Sequence, residues 1–394
     1  MNKLKELIDE LCPNGVKLKK IWSITAWDKR FNNVEKGKQI KIFPYKYLLA
    51  NEFNKIEVEN GKVKYISTGI TKDERYTSEE YAGDYLTEGE IVCIPWGGTP
   101  NVKYFKGKFV TGDNRIATSV DTDVLSNKFL YYWMEFNLDK ISRFYRGSGI
   151  KHPDMKKILD MNIPVPPIEV QREIVRILDC FTELISELTS ELILRKKQFN
   201  YFRDTLLNFR EGANRVKLGD VCILKAGKSI DNSEISEKKT KDFPYPCYGA
   251  NGIRGFVNQC NNHGENPIVG RQGAHCGSVS FAFGDYYATE HAVVVNDLKR
   301  NFNKRFLFHI LQYANLNQYK TAGAQPGLSV ASLNKVEVIM PTIIIQDKIA
   351  KVLDYFEYIC SDLNIGLPTE IELRKKQYEY YRDKLLSFEV KCHD

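Results

Sequence analysis

The chain has 394 residues and a net charge of +7, from 57 Lys plus Arg against 50 Asp plus Glu. Its 43% hydrophobic and 27% charged composition excludes a mostly disordered chain, and its length provides for two or three domains. No apolar run reaches the roughly 18 residues of a membrane span, the opening Met1–Glu6 has no signal-like apolar stretch, and nine cysteines, an odd number without framework spacing, read as mostly reduced, buried thiols of a cytoplasmic protein.

In chain order, residues 1–165 form a first globule, holding strand-like runs at Ile91–Trp96 and Arg115–Val120 and a helix near 128–144. Residues 166–211 carry a long helix. Its apolar positions Ile174, Leu178, Phe181, Ile185, Leu188, Leu192, Phe199, Phe202, Leu206 and Phe209 alternate spacings of four and three, with Arg195 in the one polar slot. That is a heptad seam, so the helix packs lengthwise on another helix, over roughly 58 Å from Gln171 to Phe209. Residues 212–340 form a second globule, with strands at Pro267–Arg271, Ser278–Phe283 and His291–Val295 and a helix near 304–319. Residues 341–394 restart the seam through Ile349, Leu353, Phe356, Cys360 and Leu363. Gly366-Leu367-Pro368 then predicts a break or kink near 365–368, because proline removes a donor and clashes with the preceding turn.

The two halves repeat. Gln171 matches Gln346, Leu178-Asp179 matches Leu353-Asp354, and Phe181 matches Phe356, all at an offset of 175. Arg195-Lys196-Lys197-Gln198 matches Arg374-Lys375-Lys376-Gln377 and Arg203-Asp204 matches Arg382-Asp383, at an offset of 179. The four extra residues fit a local stutter in the seam. In the globules, Val16-Lys17-Leu18 echoes Val216-Lys217-Leu218, and Cys93–Gly98 lines up with Ile268–Gly273. A period this long marks a duplicated half rather than a solenoid. The fold expected is therefore two α/β globules related by a pseudo-twofold duplication and separated by two long antiparallel helices. Ile174, Leu178, Phe181, Ile185 and Leu188 are expected to face Leu353, Phe356, Leu363 or their neighbours. The plain alternative is two ordinary core helices in separate domains.

Charge follows this division. Residues 1–150 hold 24 basic and 20 acidic side chains and residues 212–341 hold 15 and 10; residues 151–211 balance at 10 each, and 342–394 hold 8 and 10. Basic globules suit a phosphate-bearing partner, although a solvated basic surface has the same composition. Loops such as Gly97–Asn101, Gly112–Arg115 and Arg271–His275 offer groups able to read base edges, since Arg pairs with guanine and Asn or Gln with adenine. The candidate DNA contacts are Trp96, Asn101, Lys103, Asn114, Arg115 and Lys151 in the first globule and Arg271, Gln272, His275 and Lys320 in the second. Each loop residue is also an ordinary turn former.

Catalytic signatures are missing. Gly227-Lys228-Ser229 ends like a phosphate loop, but Cys222 stands where the pattern needs glycine. Asn266-Pro267-Ile268-Val269 lacks the second proline and the aromatic of an amino-methyltransferase loop, and neither a dinucleotide fingerprint nor a nucleophile elbow is present. Cys260-Asn261-Asn262-His263 has acceptable metal-pair spacing, but Cys247, His275 and Cys276 supply no companion pair, so buried thiols and surface histidines are the better reading and no metal is expected.

The doubled Pro-x-x-x-x-Gln-x-x-Ile at 166–174 and 341–349, and the doubled Arg-Lys-Lys-Gln-(Phe/Tyr)-x-Tyr-(Phe/Tyr)-Arg-Asp-x-Leu-Leu at 195–207 and 374–386, make the chain resemble the specificity subunits of Type I restriction–modification enzymes. The resemblance implies a non-catalytic subunit. Two target-recognition domains would each read one half of a bipartite site in double-stranded DNA, and the helices would set the spacer. It further implies two methylation subunits that bind S-adenosylmethionine, and restriction subunits that use ATP and magnesium, with no cofactor in this chain and no membrane partner. Two other classes remain open: a stand-alone DNA methyltransferase, which binding of labelled S-adenosylmethionine would reveal, and a structural hub, which a gel shift at two salt concentrations would separate.

Overall fold

Short β-branched runs punctuated by Gly, Asn and Asp build sheets in both halves of the chain. The computed structural model describes residues 2–39, 41–70, 74–208, 214–273, 276–297, 302–321, 327–361 and 366–388. Two compact units result, residues 1–186 with 373–394, and residues 187–372.

The first unit holds β1 (Lys17–Lys20), β2 (Thr25–Trp27), β3 (Val63–Ile66), β4 (Tyr76–Thr77), β5 (Thr87–Pro95), β6 (Lys103–Thr111), β7 (Asn114–Ser119), α1 (Asn127–Phe136), β8 (Tyr145–Arg146), β9 (His152–Pro153) and β10 (Asn162–Val165). Six strands form one sheet in the order β2-β7-β5-β6-β3-β4, parallel only at β3–β6. Central β5 is apolar without alternation from Ile91 to Pro95 because both its faces are covered. Val92 and Ile94 pack with Phe129, Leu130 and Trp133, while Ile91 and Cys93 pack with Phe109 and Ile116. Ser126 caps α1 by accepting from the Phe129 amide. β1 closes antiparallel on β10, just before Pro166-Pro167 and the 40-residue helix α2 (Ile168–Leu207), about 60 Å long at 1.5 Å per residue.

The second unit holds β11 (Asn214–Lys217), β12 (Cys222–Ala226), β13 (Tyr245–Gly249), β14 (Gly252–Val257), β15 (Asn262–His263), β16 (Asn266–Gly270), β17 (Val279–Ala282), β18 (Asp285–Ala288), β19 (Ala292–Asp297), α3 (Lys304–Tyr313) and β20 (Glu337–Met340). Two four-stranded sheets appear, β12-β19-β16-β17 and β14-β13-β18-β15, and β11 closes on β20 as β1 does on β10. Val269, Val293 and Val295 pack with Phe306 and Leu307, while Ile268, Ala292 and Val294 pack with Tyr248, Tyr286 and Ala288. α4 (Ile343–Ser361) follows Pro341-Thr342, and α5 (Leu367–Leu386) places Pro368 in its first turn, where a missing N–H costs nothing. Residues 362–365 between them, Leu363 included, lie outside the described residues.

The duplication extends to individual hydrogen bonds. Gln171 accepts from the Ser126 amide at 2.9 Å and donates to Pro166 O at 2.8 Å; Gln346 accepts from the Asn303 amide at 2.8 Å and donates to Pro341 O at 2.9 Å. Both amides are fully buried and lock the start of a long helix onto its globule. Asp179 accepts from Lys128 and Tyr132; Asp354 accepts from Arg305 and His309.

The helix seams are present, but their partners differ from expectation. In the first unit Ile174 and Leu178 pack among Leu385, Leu386, Tyr378 and Tyr381, and Phe181 stacks on Tyr381 with ring centroids 5.4 Å apart. In the second unit Leu353 shares a core with Leu207, and Phe356 stacks on Phe202 at the same 5.4 Å and meets Phe199 at 6.4 Å. Leu353 and Phe356 therefore do not face Leu178 and Phe181. Those are equivalent positions of the two repeats, and antiparallel packing sets the start of one helix against the end of the other. Phe181 is equivalent to Phe356 and Tyr381 to Phe202, so the two stacked pairs are one contact made twice. Ile185 and Leu188 remain half-buried on the same stripe.

Candidate nucleic-acid interface

β5 and β16 end at equivalent points, and the residue that follows each is Trp96 or Arg271. The Trp96 amide donates to Asp113 O and the Arg271 amide to His291 O, both at 3.0 Å. A second loop crosses each strand end. In the first unit the Gly98 amide donates to Lys151 O at 3.1 Å, His152 Nδ1 lies 2.8 Å from Trp96 O, and a Cβ on Gly97 would stand 2.8 Å from Ile150 Cγ2. A side chain at that position would push Ile150 aside. In the second unit the Leu328 amide donates to Arg271 O at 2.8 Å and Gln272 bridges to Gly327.

The first pair of loops surrounds an aromatic ring with cations. The Arg115 guanidinium lies 4.7 Å and Lys29 Nζ 5.3 Å from the Trp96 ring centroid, and the His152 ring is 5.1 Å away. Lys151 and Ile150 project outward, Ile150 at 68% exposure. In the second unit Gln272 and Lys320 are exposed and Arg271 is half-buried.

Four sequence candidates of the first globule prove to be internal braces. Arg115, 1% exposed, donates from Nη1 to Asp28 Oδ2 at 2.7 Å and from Nη2 to Asp113, so it cannot reach a groove. Asp28 also accepts from the Ile116 amide at 3.0 Å. Burial raises the Asp28 carboxyl above the ordinary carboxylate range; the charge of Arg115 and the Ile116 amide pull it back without cancelling the effect. Asn114, also buried, donates to Ile66 O at 2.8 Å and Thr111 Oγ1 at 3.1 Å. Lys103 donates to Ser67 O at 2.6 Å, and Asn101 to Thr68 O at 3.1 Å. These four side chains tie the 66–68 segment and β2 to the strand ends that carry the loops. His275 lies outside the described residues. Trp96, Lys151, Arg271, Gln272 and Lys320 stay on the loop surface.

Two groups missed by sequence reasoning sit beside Arg271. His291 Nε2 lies 3.2 Å from Glu290 Oε1, and Glu290 Oε2, His291 Nδ1 and Arg271 Nε are buried with no hydrogen-bond partner among the described residues. The available signal is Glu290-His291 beside the valine run 293–295, where the sequence pattern shows only a strand.

The family described as the Type I restriction modification DNA specificity domain matches residues 40–195 and 210–373. The chain is 40% identical over 255 residues to the specificity subunit of the EcoprrI type I restriction enzyme of Escherichia coli, covering 61% of this chain and 63% of that subunit's length. It is 30% identical over 335 residues to a putative type I restriction enzyme specificity subunit of Haemophilus influenzae, covering 79% of this chain and 86% of that one. The crystal structure of the S subunit of the M. genitalium Type I restriction–modification system shares the fold, with a TM-score of 0.64 at 18% identity over 96% of this chain and 98% of that one.

Proposed function

The chain belongs to the Type I restriction–modification DNA specificity family, and from that premise we propose that it is the non-catalytic subunit that selects the DNA sequence, each unit reading one part of a bipartite target. The observation that carries this reading is the repeated loop pair at the ends of β5 and β16, one copy per unit, with Lys151 exposed in one and Gln272 and Lys320 in the other. Exposed cations and amides on loops braced by a rigid sheet suit phosphate contact and base-edge reading together. Different loop residues in the two copies, Trp96 against Arg271, suit two different half-sites. The chemistry belongs to partners: methylation subunits that carry S-adenosylmethionine and restriction subunits that use ATP and magnesium, assembled in the cytoplasm where the DNA is. No helix among the described residues is long and apolar enough to cross a membrane.

The test is a map of methylated adenines in a genome expressing this chain with its methylation subunit. Two half-sites joined by a fixed spacer are expected, and exchanging only residues 271–273 and 290–291 is expected to alter one half-site and leave the other. Methylation that ignores this exchange would refute the assignment.

A further inference from the structure

Cys260 and His263 look like half a metal site in sequence, and the fold supplies a third ligand that spacing cannot show. β15 pairs antiparallel with β18 in a register that sets His263 directly opposite Asp285, with Nδ1 and Oδ1 2.7 Å apart. Ligand atoms of Cys260, His263 and Asp285 all lie within 4.8 Å of one another. A thiolate, an imidazole and a carboxylate around one point are the donor set of a zinc-like ion with one position left for water.

The backbone under these side chains is held before any ion arrives. The Asn261 amide donates to Tyr286 O at 3.1 Å, Asn261 Nδ2 donates to Ala288 O at 2.9 Å, and its Oδ1 accepts from the Ala288 amide at 2.8 Å. Asn266 Nδ2 donates to His263 O at 3.1 Å, and the Gly264 amide to Gly284 O at 2.8 Å. These bonds fix the backbone that carries Cys260 and His263. The other close trio among the described residues, His309, Asp354 and Glu357, is already served by a cation, because Arg305 pairs with both carboxylates. Asp285 has His263 as its one ion-pair partner among the described residues. Of the remaining thiols, burial pushes Cys93 up to about 12 and Cys247 up to about 11, which disfavours the thiolate a metal requires.

We propose that Cys260, His263 and Asp285 bind one divalent cation of the zinc class, pinning the two-residue strand β15 onto β18. This assignment stands apart from the DNA-reading function. Titration of the full chain with Co2+ tests it. One equivalent is expected to give the visible bands of four-coordinate cobalt together with a thiolate-to-cobalt charge-transfer band. Cys260→Ser is expected to abolish the charge-transfer band, while Cys180→Ser, which alters an exposed thiol elsewhere, keeps it. Loss of an orienting partner alone costs metal affinity about 10–100-fold, so Asp285→Asn is expected to lose at least that much. Circular dichroism of each variant reports whether the chain remains folded. Absence of the charge-transfer band in the folded wild-type chain, or its persistence in Cys260→Ser, would overturn the assignment.

Discussion

Replacing Arg115 with methionine keeps most of the side-chain volume and removes the charge. Asp28 then loses its 2.7 Å bond to Nη1 and keeps the Ile116 amide at 3.0 Å, a single neutral donor for a carboxylate that is 8% exposed. Breaking one side of a buried pair costs about 3–5 kcal/mol, because the other charge stays buried. For a unit of this size that is roughly 6–20 °C of melting temperature, at 2–4 °C per kcal/mol. The pH dependence has a definite sign. The folded Asp28 carboxyl already binds its proton more tightly than an unfolded one. Between the unfolded and folded values the native state holds the extra proton, so stability falls as pH rises through that window and returns on acidification. Removing Arg115 takes away a lowering influence and extends the window upward, so the deficit is expected to be larger at neutral pH than in mild acid. Thermal unfolding followed by circular dichroism at both pH values measures it, and Asp28→Asn combined with Arg115→Met is expected to recover most of the loss. If Arg115→Met melts with the wild type and selectively loses specific DNA binding, the guanidinium is a base reader and the reasoning fails.

Arg271→Ala is expected to weaken binding to the cognate site by about 1–3 kcal/mol, the worth of a base-edge pair, and to leave random-DNA binding nearly unchanged; equal loss on both would make Arg271 a phosphate contact. Inserting four residues within 187–191 lengthens α2 by about 6 Å, and at roughly 3.4 Å per pair methylation is expected to move to a spacer one or two base pairs longer, one being favoured because each added pair also rotates the second half-site by about 34–36°, with half-sites unchanged; an unchanged spacer would show that α2 does not set it. Burial pushes the Asp354 carboxyl up, but the bonds and charges of His309 and Arg305 hold it below its ordinary range. Its stabilising contribution is thus complete above the unfolded value, roughly pH 4, and is lost as pH falls through the folded one. Asp354→Asn is expected to lower the melting temperature at neutral pH and to flatten its acid dependence; an equal drop at pH 7 and pH 3 would contradict this.

Periodicity and repetition were legible in the residues themselves. Heptad spacing depends on local helix geometry alone, so the stripe from Ile174 to Leu206 was visible without a fold, and the offsets of 175 and 179 exposed the duplication. The strand expected at Pro267–Arg271 forms at Asn266–Gly270, and that expected at Ile91–Trp96 is the end of Thr87–Pro95, because short β-branched runs bounded by Gly or Asn favour extended backbone. The loops at 97–101 and 271–273 were placed correctly by their glycines.

Pairings between distant residues were not legible. Which residue of one helix meets which of the other depends on direction, so only the folded chain shows Phe181 on Tyr381 rather than on Phe356. An arginine beside a glycine turn has the same local sequence whether it faces DNA or an aspartate 87 positions away, and only burial against Asp28 assigns Arg115 to the interior. Asp285 stands 22 residues beyond His263, and the pairing of β16 with β19 sets the backbone of His291 against that of Arg271. Sequence determines what each residue can do within a turn or two of its own backbone. Strand register and helix direction decide which charges and ligands become neighbours, because those contacts close over separations that no local pattern records.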